Sequence, residues 1–137
     1  MTTTNDMIYS VLDNNLSRIA GIEGAVLLSN DGIMLSAYLL DRAQAERIAA
    51  ASSGVAATMR AISRDVDGGR VIRQLVEMDE RYLCLVGCGE GSTLVVVTNR
   101  KARLGELGGE AVRTAQALGE WLGTPDRAQP PSSPPAP

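Results

Sequence analysis

The fold of this chain is most constrained by five short apolar segments, most of them joined by turns too tight for a crossover. The segments AVLLS and IMLSAYL flank Asn30-Asp31-Gly32, and an Asp-Gly step between apolar runs is the usual sign of a tight hairpin. GRVIRQLVEM, YLCLVGC and STLVVVTN follow, separated by Asp79-Glu80 and by the glycine loop GCGEGST. Because parallel strands need long crossovers, the pattern predicts a mainly antiparallel five-stranded sheet, with the first hairpin at about 24–29 and 33–39.

Three further segments have the apolar spacing of amphipathic helices. The first starts near Asn5 and Asp6, ends near Gly21, and repeats apolar residues at Ile8, Val11, Leu12, Leu16 and Ile19. The second runs from about Arg42 to Arg64, behind a capping pair formed by Asp41 and Gln44. The third covers about 101–122 and places one apolar side at Leu104, Leu107, Ala111, Leu118 and Leu122.

The element order α-β-β-α-β-β-β-α defines the predicted fold class as α+β, in the form of an α/β sandwich. The strand runs around Leu27, Leu85 and Val96 are apolar at consecutive positions, so both faces of the sheet must be covered. Helices on both faces satisfy this requirement.

The distribution of proline predicts where the folded domain ends. All six prolines lie between Pro125 and Pro137. The remaining chain is long and apolar enough for a single core. We therefore expect one domain over residues 1–123 and a disordered or polyproline-II tail over 124–137, with docking on an aromatic groove of a partner as the alternative.

Composition argues against several classes of function. The net charge is -3, with both signs interspersed, which is atypical of nucleic-acid binding. We expect no membrane insertion, because no apolar run approaches the length of a bilayer span, and the absence of a signal-peptide pattern with only two cysteines predicts the cytoplasm. Histidine is absent, which removes the commonest general base and metal ligand; we expect no cofactor and no metal.

The second helix contains twelve residues without charge, IAAASSGVAATM, at positions 48–59. At 100° per residue, one narrow stripe is suited to packing on the domain's own sheet: Ile48, Val55, Met59 and Ile62. A row of small residues at four-residue steps suits close approach of a second helix: Ala45, Ala49, Ser53, Ala57 and Ala61. The alternative is a good helix former with a bland exposed face.

These patterns lead to the hypothesis of a symmetric homodimer in which the second helix packs on its own copy. Charges are confined to the helix ends, so in an antiparallel pair Glu46 of one chain approaches Arg60 or Arg64 of the other. The strand at 70–77 is expected at a sheet edge, where it pairs with its copy. The strand contributes Val71, Arg73 and Leu75 to the predicted interface.

Three local features invite a chemical interpretation and have a structural one. Cys84 and Cys88 share strand parity, but two thiols without histidine do not complete a zinc site, so we expect buried small hydrophobes. Asp65 and Asp67 precede two glycines and suit a turn. The glycine loop has Glu90 where a phosphate loop needs a cation; we expect a hairpin with positive φ at its glycines rather than anion contact.

The element order, the hairpin GAVLLSNDGIMLSAY, the small-residue helix and the strand TLVVVTN before the last helix together resemble the roadblock (dynein light-chain roadblock) family over about residues 5–122. The resemblance implies a homodimer with one continuous sheet, acting as a regulator or scaffold of a Ras-like small GTPase. The short acidic domain with its Pro-rich end is most similar to bacterial members of conservon-type operons, which also encode a sensor-kinase-like protein.

The resemblance further implies that the GTPase docks on a platform made by the paired middle helices, drawn here from Arg42, Glu46, Arg47, Arg60 and Arg64. An inserted arginine would stabilise transition-state charge, with Arg42 or Arg47 as geometric candidates. Family members also act by rearranging the GTPase or as scaffolds, so stimulation of hydrolysis stays open. The alternative function is a small-ligand sensor or an enzyme on a similar sheet.

Overall fold

A computed structural model describes residues 3–122, which form three helices and five strands. In chain order these are α1 (Thr4–Leu16), β1 (Ile22–Ser29), β2 (Met34–Tyr38), α2 (Arg42–Asp65), β3 (Arg73–Glu77), β4 (Arg81–Cys88), β5 (Ser92–Asn99) and α3 (Leu104–Leu122). The order confirms the predicted succession of elements. The predicted Pro-rich tail at 124–137 lies outside the described residues.

Local side-chain bonds start the first two helices. The hydroxyl of Thr3 accepts from the Asp6 backbone N–H at 3.0 Å, while the Asp6 carboxylate accepts from the Thr3 N–H at 3.1 Å, which makes a reciprocal capping box. Asp41 accepts from the Gln44 N–H at 2.8 Å, as predicted. Each cap satisfies backbone donors that the first helical turn leaves without a partner.

The strands form one antiparallel sheet in the order β2-β1-β5-β4-β3. β2 and β3 are therefore the two edges, and the prediction that the third strand lies at an edge is confirmed. The turn between β1 and β2 contains Gly32 at φ 86°, a conformation that glycine adopts without strain. In the part of the chain that the structure describes, α2 carries the long connection from one edge, β2, to the other, β3.

Helices cover both faces of the sheet, as the consecutive apolar positions predicted. On the side that we call the α1/α3 face, α1 and α3 pack on a large cluster that includes Leu27, Cys84, Val86 and Val96. On the opposite side, the α2 face, α2 packs on a smaller cluster of Val26, Leu28, Leu85, Val95, Ala45 and Ala49. No helix among residues 3–122 is long and apolar enough to cross a membrane.

Several predicted boundaries differ from the structure. α1 ends at Leu16 rather than near Gly21, and α3 begins at Leu104 rather than Lys101. The residues between the predicted and observed boundaries form turns instead of regular helix. Leu104 is 38% exposed and lies in the first turn of α3, so it does not share the buried side of Leu107 and Leu118. β3 begins only at Arg73.

Candidate partner-binding surface

The side of α2 that faces its own sheet consists of small residues. Ala45, Ala49, Ser52 and Ala56 are each at most 7% exposed, and the first two belong to the cluster on the α2 face. Small side chains allow the helix backbone to lie close to the strands. The small residues of this helix therefore serve the domain's own core.

This placement corrects the predicted row at four-residue steps. A four-residue step advances about 400°, so the row turns by about 40° per step and winds around the helix. Ala45 and Ala49 face the sheet and are fully buried, so their assignment to a dimer interface is wrong. Ser53 is half-buried beside Gly32, while Ala57 and Ala61 are exposed.

The larger apolar residues of α2 are more exposed than the sequence predicted. Val55 and Ile62 are 45% and 47% exposed, so the prediction that their stripe packs on the sheet is wrong. The stripe lies about a quarter turn from the buried side, where only Ile48 reaches the cluster on the α2 face. We call Val55, Met59 and Ile62 the apolar flank of α2.

The edge strand β3 lies where α2 leaves the sheet uncovered. α2 contacts β1, β2 and β5. On β3, Gln74 and Val76 point to the α2 face, because their β4 partners are Leu85 and Leu83. Val76 is 38% exposed and Leu75, on the other face, 43%. An uncovered edge strand is a template for pairing with another chain.

The charged residues of α2 stand at its two ends, as the sequence shows. The Nε of Arg42 is 3.1 Å from Oε2 of Glu46, with the two side chains 80% and 52% exposed, and such exposed pairs contribute little to stability. Arg47 and Arg64 are exposed and Arg60 is half-buried. From Glu46 to Arg60 the helix rises about 21 Å, so one chain alone does not bring these two residues together.

An open cleft lies at the C-terminal end of α2. It has a volume of about 710 Å³ and is lined by Arg60, Arg64 and Arg70, with Gly87 and Gly89 of the strand end and hairpin. A side chain added at Gly87 would meet no atom within 4 Å. Within residues 3–122, none of these three guanidinium groups is in an ion pair. Sequence alone placed Arg70 at the start of the third strand and Gly87 in the glycine loop, but it did not predict that both residues line one cleft.

The glycine loop is a hairpin, as predicted, between the paired residues Cys88 and Ser92. Its carbonyls accept from the neighbouring turn: the Asn30 backbone N–H donates to Gly91 at 3.0 Å, and the Asn30 amide donates to Glu90 at 3.3 Å. Gly89 has φ 63°. Gly91 is not in the left-handed region, so the prediction of positive φ is correct at Gly89 alone.

Both cysteines are buried in the core of the α1/α3 face, as predicted. Burial raises the pKa of Cys84 to about 11 and that of Cys88 to about 12, so both thiols are protonated at neutral pH and poorly nucleophilic. Asp67 has φ 55° in the turn after α2, in agreement with its interpretation as a turn residue. Within residues 3–122, no three His, Cys, Asp or Glu side chains are grouped in a way that would hold a metal.

The fold and this surface define a class: a sandwich with three helices and an open antiparallel sheet whose exposed features are an edge strand and a helix flank rather than a catalytic cluster. Residues 8–98 match the Roadblock/LC7 domain family. The chain belongs to this family.

Solved structures agree with this assignment. A Roadblock/LC7 domain from Streptomyces avermitilis is 31% identical and superposes with a TM-score of 0.78, over 83% of this chain and 96% of that one. The gliding protein MglB from Thermus thermophilus is 21% identical, with a TM-score of 0.78 over 88% and 92% of the two chains. MglB from Myxococcus xanthus is 18% identical, with a TM-score of 0.77 over 86% and 96%. The two MglB structures support the fold alone, and no curated protein matches the chain.

Proposed function

We propose that this protein is a homodimeric, non-enzymatic regulator or scaffold of a Ras-like small GTPase in a bacterial cytoplasmic signalling system. The observation that carries the proposal is the combination of an exposed apolar flank on α2 and an exposed edge strand, β3, in a chain of the roadblock family. Exposed apolar residues next to an unpaired strand edge suit association with another chain.

The dimer forms through this surface. Its helix contribution is the apolar flank, and its strand contribution includes Arg73 and Leu75, with Val71 just before β3. Ala57 and Ala61 lie 100° or more around the helix from this flank, on the side of the charged residues described next. One MglB structure is described as having a tetrameric arrangement, which supports self-association on this fold. Glu46 and Arg60 of one chain are about 21 Å apart, about 14 residues at roughly 1.5 Å each. An antiparallel pair of α2 helices instead brings Glu46 of each chain close to Arg60 of the other.

The GTPase binds on the outer side of the paired helices. There, small uncharged residues in the middle of each helix lie between charged residues at its two ends: Arg42, Glu46 and Arg47 at one, and Arg60 and Arg64 at the other. Charges at the rim of an interface favour fast and selective encounter more than affinity. Arg42 is paired with Glu46, whereas Arg47 has no ion-pair partner among residues 3–122. Of these two candidates for an inserted arginine, Arg47 is therefore the better placed to reach a bound GTPase.

The first experiment separates the dimer from the fold. We expect wild-type protein to be a dimer at micromolar concentration by light scattering, and Val55→Asp combined with Ile62→Asp to be a folded monomer, because two carboxylates would be buried without partners. Ile33→Asp is the matched control, since Ile33 is 61% exposed in the loop before β2, away from the apolar flank. A wild-type monomer, or a dimer unaffected by the double substitution, contradicts the proposed interface.

The second experiment tests the partner. A cognate Ras-like small GTPase is loaded with GDP or a non-hydrolysable GTP analogue, and binding is measured by calorimetry together with GTP turnover. We expect binding that depends on the bound nucleotide and that weakens about tenfold when Arg47 or Arg60 is replaced by Glu. An effect of Arg47→Ala on turnover with unchanged binding would indicate an inserted arginine. No binding in either state contradicts the proposed function.

The cleft at the end of α2 favours one second candidate, a sensor of a small anionic ligand. Its volume of about 710 Å³ is within the range of ligand pockets, and three guanidinium groups line it together with two carboxylates, Glu90 and Glu120. A ligand that binds only the folded chain raises its melting temperature. Thermal unfolding with and without millimolar nucleotides or pyrophosphate, in wild type and Arg70→Gln, tests this candidate; no shift in the wild type excludes it for these anions.

A further inference from the structure

The backbone groups of β3 that face its free edge follow from its pairing with β4. The Met78 N–H donates to the Arg81 carbonyl at 2.8 Å, so Met78 and Arg81 are a hydrogen-bonded pair. The next pair along the two strands is Glu77 with Tyr82. Hydrogen-bonded and non-hydrogen-bonded pairs alternate along antiparallel strands. Arg73, Leu75 and Glu77 are therefore in non-hydrogen-bonded pairs with β4, and their N–H and C=O groups point to the free edge.

The side chains of the same three residues share one face of the sheet. Leu75 lies opposite Cys84 and Arg73 opposite Val86, and both β4 residues belong to the core of the α1/α3 face. Along this face, the edge strand presents a basic, an apolar and an acidic side chain in order. The side chain of Arg73 lies against α3: a Cβ added at Gly108 would be 3.4 Å from Cδ and Nε of Arg73.

A two-fold axis between two copies of β3 places the basic end of each strand opposite the acidic end of the other. In a symmetric antiparallel pair centred on Leu75, Leu75 lies opposite its own copy and Arg73 opposite Glu77 of the partner subunit, twice. All five residues of β3 are then paired. Centring on Gln74 or Val76 instead places a charged residue opposite Leu75 of the partner subunit and shortens the overlap of the two strands.

We propose that β3 selects a second copy of this chain in the register centred on Leu75, with Arg73 and Glu77 as the residues that determine partner choice. This inference rests on the dimer proposed above and goes beyond it by assigning the register and its charges. Opposite charges facing each other across strands stabilise the pair, and like charges destabilise it. Glu77 already accepts from Arg100 at 2.7 Å, so Arg100 holds the carboxylate near the end of the strand, while Arg73 is in no ion pair among residues 3–122.

Charge reversal tests the register. We expect Arg73→Glu alone and Glu77→Arg alone each to weaken the homodimer by about tenfold or more, because each places like charges opposite each other twice. A mixture of the two single variants restores both opposite-charge pairs, so it forms a heterodimer of near wild-type affinity. The double variant carrying both changes restores the homodimer. Native mass spectrometry with one chain mass-tagged counts the three species.

A single cysteine at the symmetry axis provides a second readout. Leu75→Cys places two thiols within disulfide reach, since paired residues have Cα atoms about 5.5 Å apart, and we expect an intersubunit disulfide under mild oxidation. Val76→Cys is the matched control, because Val76 lies opposite Gln74 of the partner subunit and its two copies are diagonal neighbours about 7–8 Å apart. Because Leu75 lies opposite Cys84, within reach of an intrachain disulfide, both cysteine variants are made in a Cys84→Ala background; Cys88 is buried.

The outcomes separate the two proposals. A wild-type monomer overturns the dimer and the register together. A wild-type dimer in which the charge variants mix at random, and in which Leu75→Cys does not crosslink, leaves the dimer standing and overturns the register. Preferential heterodimers, and a crosslink that forms with Leu75→Cys but not with Val76→Cys, support the register, and neither result arises from a variant that merely unfolds.

Discussion

The two faces of the sheet are covered in different ways. On the α1/α3 face, two helices bury large side chains such as Leu12, Leu16, Leu107 and Leu118, each fully covered. On the α2 face, one helix rests on the sheet through alanines, and its larger residues Val55 and Ile62 remain 45% and 47% exposed. The first face stabilises the single chain, whereas the second keeps apolar area available for association.

The comparison shows why the longest helix contributes less than its length suggests. α2 has 24 residues, but its buried side contributes mainly methyl groups, and burial is worth about 0.8 kcal/mol per methylene-sized group. The close packing of α2 on the sheet therefore depends on the small size of its buried side chains, which bury little apolar area.

The largest expected effect breaks the α1/α3 face. Leu107→Ala removes a fully buried side chain and should lower the free energy of unfolding by about 3 kcal/mol, through lost transfer energy and a residual cavity. Urea unfolding at two protein concentrations measures it. The loss should be the same at both concentrations.

Ile62→Ala is the matched truncation on the other face. Because Ile62 is exposed in the single chain, its loss should lower stability only at concentrations where the dimer forms. A concentration-independent loss as large as that of Leu107→Ala would show that the two faces do not differ in this way.

A smaller effect is expected from enlarging the small residues of α2. Ala49→Leu places three extra carbons between the helix and the sheet and should cost about 1–3 kcal/mol by overpacking. Ala57→Leu makes the same change at an exposed position, so it should stay within about 0.5 kcal/mol. Thermal unfolding and light scattering of both variants test the assignment of buried and outward sides; equal destabilisation would refute it.

The last expected effect is absent at neutral pH and appears only at alkaline pH, where it acts on the α1/α3 face alone. Burial, then the hydrogen bond to Asp13 at 2.8 Å, raises the pKa of Tyr38 from 10.0 to about 12, and burial raises those of Cys84 and Cys88 from 9.0 to about 11 and 12. Groups with raised pKa values contribute stability that is full below the unfolded pKa and is lost as pH rises through the folded pKa. The free energy of unfolding should therefore fall from about pH 9 to 12.

Tyr38→Phe separates the contributions. It should lower stability by about 1 kcal/mol at neutral pH, through the lost hydrogen bond, and flatten the decline between pH 10 and 12. Denaturant unfolding across this range measures both effects. An unchanged slope would contradict the role of the tyrosine.

The features predicted correctly from sequence are those with local causes. The Asp41 cap, the Gly32 hairpin and the consecutive apolar residues around Leu27 and Val96 each specify structure within a few residues. The rotation of α2 has no local cause. Alanine suits both a close contact with a sheet and a close contact with a helix, so the sheet, not the helix sequence, decides that Ala45 and Ala49 face inward.

The candidate surface was predicted only in part, because some of its features depend on distant parts of the chain. The edge position of β3 followed from the tight turns, but its start at Arg73 depends on β4, where Gly87 has no side chain to continue the packing and residues 70–72 turn toward the cleft. Arg70 therefore lines the cleft because of contacts between distant parts of the chain. Its position in the sequence does not predict this.

The centre of the sheet also determines the order in which the chain can assemble. β1 pairs with β5, so Ile22 lies opposite Thr98, and this junction closes only after almost the whole domain has been synthesised. The hairpin of β3 and β4 needs only neighbouring residues. We therefore expect β3 to be synthesised and paired with β4 before the core closes. If β3 also pairs with its own copy as proposed, this order favours dimers of two chains made from the same messenger RNA.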